Sequence, residues 1–135
     1  MEFFATTKRA TTEADLQQRL SIDTLAAHCA SIDRVLHADG DDGEIWCLWG
    51  QFRVRREPIR GGVRFTLPGC PNALAWTVTA GTAAPAPVVV HCTINREEHD
   101  PDFIESIRMF VDDWREGLER TTEATRTPVE TPVQA

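Results

Sequence analysis

The run from residue 44 to 95 constrains the fold most, because four stretches of it place apolar side chains at every second position and turn residues separate them. A period of two is the period of a strand. The first stretch, residues 44–56 (EIWCLWGQFRVRR), gathers Trp46, Leu48, Phe52 and Val54 on one side and Trp49, Gln51, Arg53 and Arg55 on the other. Gly50 then falls on the apolar side, where its missing side chain makes room for a bulky neighbour such as Trp76 or Trp114.

The second stretch, 62–67, turns Val63, Phe65 and Leu67 one way, and the third, 73–80, does the same with Leu74, Trp76 and Val78. The fourth, 88–95, aligns Val88, Val90, Cys92 and Ile94 against His91, Thr93 and Asn95. Between them, EPIRGG and PGCPN are turn chemistry, and GTAAPAP reads as a linker-like loop. Short connections favour an antiparallel meander.

On either side lie helical patterns. Over residues 12–37 Leu16, Leu20, Leu25, Ala26, Cys29, Ile32 and Leu36 recur at three and four, and Ser21 is placed to cap a restart after a break. Asp100 followed by Pro101 marks a helix start, and Phe103, Ile107, Phe110, Val111, Trp114 and Leu118 make its apolar stripe. The expected architecture is α+β, a two-layer sandwich of order α-β-β-β-β-α. A four-stranded antiparallel meander carries both helices on the face of Trp46, Leu48, Phe52, Val54, Val63, Phe65, Trp76 and Val90. Residues 1–11 read as an irregular N-terminal segment, 12–120 as one domain, and 121–135, with its repeated Thr-Pro-Val, as a disordered tail.

The 135 residues, 41% apolar and 26% charged, suffice for one self-supporting core. A net charge of −7 opposes binding to nucleic acid or to an anionic membrane. No signal-peptide core and no apolar window of about 18 residues occurs, so a cytoplasmic protein is expected. Cys29, Cys47, Cys70 and Cys92 form no CxxC pair and read as free thiols.

No motif spells a reaction. The acidic turn DGDDGE fails as a calcium loop, since the sharp-turn glycine and the final carboxylate fall on the wrong residues. His28-Cys29 and His91-Cys92 suggest zinc, but neighbours on a strand point to opposite faces. Cys70 lies in a constrained loop without a basic neighbour in sequence to activate it. Neither a metal, nor a cofactor, nor a catalytic residue is expected.

The second face of the sheet is the remaining candidate. It is expected to carry Trp49, Gln51, Arg53, Arg55, Arg64 and His91 and no carboxylate. Tryptophan and arginine are enriched where proteins meet, so the chain reads as a non-catalytic protein-binding or homodimerising module working through this open face. The alternative is an anionic small molecule, possible substrate included, held by the forks of Arg53, Arg55 and Arg64.

Overall fold

The computed structural model describes residues 1–95 and 98–122 in full, and side chains as far as Thr122. It is α+β, with a single seven-stranded antiparallel sheet and three helices rather than a four-stranded meander. The elements run β1 (Glu2–Thr11), α1 (Glu13–Arg19), a 3-10 turn (Ile22–Thr24), α2 (Leu25–His28), β2 (Ile32–Asp39), β3 (Asp42–Cys47), β4 (Gly50–Ile59), β5 (Gly62–Thr66), β6 (Ala75–Thr79), β7 (Ala86–Thr93) and α3 (Pro101–Gln134). Spatially the strands follow the order β1-β7-β6-β5-β4-β3-β2. Six strands thus form a meander, and β1 closes its far side on β7.

The helices cover one face only. Under them lie Phe3 of β1, Ile45 and Cys47 of β3, Val54 of β4, Val63 and Phe65 of β5, Trp76 and Val78 of β6, and Val88, Val90 and Cys92 of β7, all buried. From above, Leu16, Leu20, Leu25, Ile107, Phe110, Trp114 and Leu118 complete the core. Its centre is aromatic: the ring of Trp76 lies 5.3 Å from Phe65, 4.9 Å from Phe110 and 6.1 Å from Trp114. Arg56 also points to this side, where its guanidinium donates to the carbonyls of Leu20 and Gln17 at 2.6 Å each and pairs with Asp41 at 3.0 Å. It ties the carbonyl end of α1 to the sheet.

Three expectations are corrected. Residues 1–11 are not irregular but form β1, with Phe3 and Thr7 buried and Phe4 exposed. Two phenylalanines in a row, and a buried side completed by alanine and threonine, conceal the alternation.

The helical reading of residues 12–37 holds only as far as His28, after which the chain becomes β2. Register shifts between Ile32 and Arg34 and between Val35 and His37 pair Ile32, Val35 and Ala38 with the inward residues Cys47, Ile45 and Gly43. Each extra residue moves the next inward position from two to three, so a doubly bulged strand imitates a helical period. Leu36 is accordingly exposed.

Residues 44–56 are not one strand. They fold back at Leu48 and Trp49, with Cys47 opposite Gly50, so the inward parity changes from odd in β3 to even in β4. Trp46 is exposed and Leu48 sits in the turn, against the expectation that both face the core, whereas Phe52 and Val54 do turn inward. Gly50 serves its φ of 109° at this turn, and a Cβ there would meet nothing within 4 Å. Its role is conformational rather than one of close approach.

The other three expected strands occur with shifted bounds, β7 taking in Ala86 and Pro87 of the expected linker and ending before Ile94, and they keep the expected inward residues; α3 begins at Pro101 with the Asp100 carboxylate accepting from the Asp102 amide at 2.8 Å. Thr121 and Thr122, the first residues of the expected disordered tail over 121–135, belong to α3, and the side chains from residue 123 on lie outside the described residues. Among the described residues no helix is long and apolar enough to cross a membrane.

Candidate protein-contact face

The face away from the helices is a ladder of cross-strand rows. One row runs Phe4, His91, Thr77, Arg64 and Glu57 across β1, β7, β6, β5 and β4. The next runs Glu2, Thr93, Ala75, Thr66, Arg55 and Asp42. Beyond these, Arg53 stands opposite Glu44 and Gln51 opposite Trp46. Side chains directly opposite on antiparallel strands interact, and opposite charges there stabilise.

Gln51, Arg53, Arg55, Arg64 and His91 are therefore brought together on the open face as the sequence suggested. Trp49 is not among them. It sits in the β3–β4 turn, half-buried on the helix side, with its indole donating to Ser106 Oγ at 2.8 Å. Its ring packs 4.9 Å from Phe110 and 6.2 Å from Phe103, so it anchors α3 to the sheet.

The expectation of a carboxylate-free face is also corrected. Asp42, Glu44 and Glu57 each stand opposite one of the candidate arginines, Arg55, Arg53 and Arg64. Glu57 lies 3.8 Å from Arg64, and Glu44 accepts from the Gln51 amide at 2.7 Å. His91 Nε2 meets Glu2 Oε1 at 2.8 Å, and its ring stacks on Phe4 at 4.3 Å with the planes 2° apart. Phe4 is 62% exposed. The contributions of Phe4 and Glu2 went unread because β1 did, although Phe3, Ala5 and Thr7 alternate with Phe4 and Thr6.

Two features stand out. On β6, Ala75, Thr77 and Thr79 form an uncharged row, continued by Val89 and Thr93 on β7 and Thr66 on β5, with His91 on one side of Thr77 and Arg64 on the other and Phe4 beyond His91. Around it the charges nearly cancel: Glu2, Asp39, Asp42, Glu44 and Glu57 face Arg34, Arg53, Arg55 and Arg64. In a chain of net charge −7, that is a locally neutral surface.

The thiols offer little chemistry. Burial pushes Cys29 and Cys92 up to about 12 and also raises Cys47, which keeps all three protonated and unreactive at neutral pH. His91 and Cys92 indeed point to opposite faces, one half-buried on the open side and one in the core. Cys70 borders an apolar pocket of about 100 Å³ with Trp49, Phe52 and Phe103, and none of the described residues lining it is basic. No three metal-ligating side chains converge among the described residues. The chain matches no protein-family model and no curated protein.

Proposed function

We propose that the chain is a non-catalytic protein-binding domain that pairs with a second copy of itself through its open sheet face. The observation carrying this reading is the uncharged β6 row Ala75, Thr77 and Thr79, with the 62%-exposed Phe4 beyond His91 and each arginine of the trio Arg53, Arg55 and Arg64 opposite an acid. A face carrying arginines alone would repel its own copy across a two-fold axis. Here each arginine of the trio has an acid on the next strand, so either sign on one copy finds the other sign on its mate.

The same register weighs against an anionic small molecule, because the guanidinium groups that would hold it already face carboxylates. Four free thiols, three of them buried, suit a reducing compartment, and we place the domain in the cytoplasm.

Light scattering coupled to size exclusion tests the pairing. The wild type is expected to run as a dimer. Thr77→Arg, at a half-buried position outside the core, should give a folded monomer by setting like charges across the axis. A wild type that stays monomeric at high concentration, or a Thr77→Arg variant that stays dimeric, would overturn the reading.

A further inference from the structure

A different surface, on the helix side, remains unpartnered. Where the β3–β4 turn approaches α3, an open groove of about 620 Å³ has Ala30, Leu48 and Met109 along it, Trp46 at its rim, and the carboxylates of Asp33 and Asp113 beside them. Met109 is 51% exposed and Trp46 44%. A second open groove of about 630 Å³ continues from Met109 along α3 past Glu105, Asp102 and Asp112. Its one cation among the described residues, Arg108, leans over the Phe3 ring at 5.6 Å.

We infer that this trough docks a basic amphipathic helical segment of a partner protein. The apolar patch at the β3–β4 end, Trp46, Leu48 and Met109, suits an aliphatic anchor of variable shape, since the thioether chain adapts to what it meets. The rim decides the partner's charge. Asp33, Glu105 and Asp102 are exposed carboxylates flanking Met109, whereas lysine or arginine on either edge of a docked helix would complement them. From residue 102 to 113 α3 extends ~17 Å, enough to lie along about three turns of a partner helix. An acidic or uncharged segment would lose this complementarity, and an anionic lipid surface would be repelled.

The proposal does not depend on the pairing of sheet faces, which centres on β6, whereas Trp46 at the groove's rim lies on β3, toward the other edge of the sheet. Fluorescence anisotropy of a labelled model peptide, leucine and lysine at helical spacing, is the test. Saturable binding that weakens with salt is expected, and Met109→Lys and Glu105→Lys should each weaken it by about tenfold or more, the loss of a central anchor and of a guiding charge. Both positions are exposed, so an unchanged melting temperature will certify the fold. Thr77→Arg should leave peptide binding as it is, separating this result from the state of the sheet face. Equal binding of a leucine–glutamate peptide, or wild-type affinity in Met109→Lys, would overturn the inference.

Discussion

His28 is a buried side chain through which pH should reach the fold. It is 6% exposed, its ring stacks on Trp114 with centroids 6.4 Å apart, and its Nδ1 has no hydrogen-bond partner among the described residues. Burial first, then the charge of Arg19 and last that of Arg120 lower its pKa below the ordinary 6.5, and a hydrogen bond with the Arg19 backbone only partly offsets them. Because the folded pKa is the depressed one, the unfolded chain takes up the proton first as pH falls. Stability should thus be undiminished above about 6.5 and decline below it, until the folded pKa is reached. Thermal melts from neutral to mildly acidic pH will show this decline in the wild type, and His28→Phe, which keeps a flat ring over Trp114, should flatten it. An unaltered slope in that variant would show that His28 is not the group responsible.

Among the elements, the contact of α2 with α3 is made by the absence of a side chain. A Cβ on Gly117 would come within 1.8 Å of the His28 carbonyl oxygen and 2.5 Å of its carbon, both backbone atoms that cannot rotate away. Replacing glycine by alanine inside a helix ordinarily stabilises by ~1 kcal/mol. Here overpacking, typically ~1 to 3 kcal/mol and more when backbone must move, works against it. Gly117→Ala should therefore lower stability by roughly 1 to 3 kcal/mol in urea denaturation, and a variant as stable as the wild type would contradict the close packing of these helices.

Elements whose sequence signal has one interpretation were legible: β5, β6 and β7, each with one clean apolar face, and α3, with Asp100 and Pro101 at its start. Those that were not share a physical cause, namely that periodicity reports spacing rather than structure. In β2 two bulges stretch the inward spacing to three, as on a helix. From Ile45 to Trp49 five apolar residues in succession leave the parity of β3 and β4 undetermined, and only the positive φ of Gly50 marks the turn. Of the candidate face, Gln51, Arg53, Arg55, Arg64 and His91 were readable because their strands or parities were, whereas Trp49 changed sides with the turn.

For the molecule as a whole, charge is divided between the two layers. The described part of α3 carries Asp102, Glu105, Asp112, Asp113, Glu116 and Glu119 against Arg108, Arg115 and Arg120, while the open sheet face is nearly balanced. In the proposed pairing, the acidic helix layer would keep copies apart on that side and leave the nearly neutral sheet as the surface for their contact. Isotope-filtered nuclear Overhauser spectroscopy, on a mixture of labelled and unlabelled protein, reads this contact atom by atom. The methyl groups of Thr77, Thr79 and Val89 and the ring of Phe4 are expected to show cross-peaks to the other copy. Cross-peaks between copies that involve α3 and spare these residues, or none at concentrations where copies associate, would contradict the pairing of sheet faces.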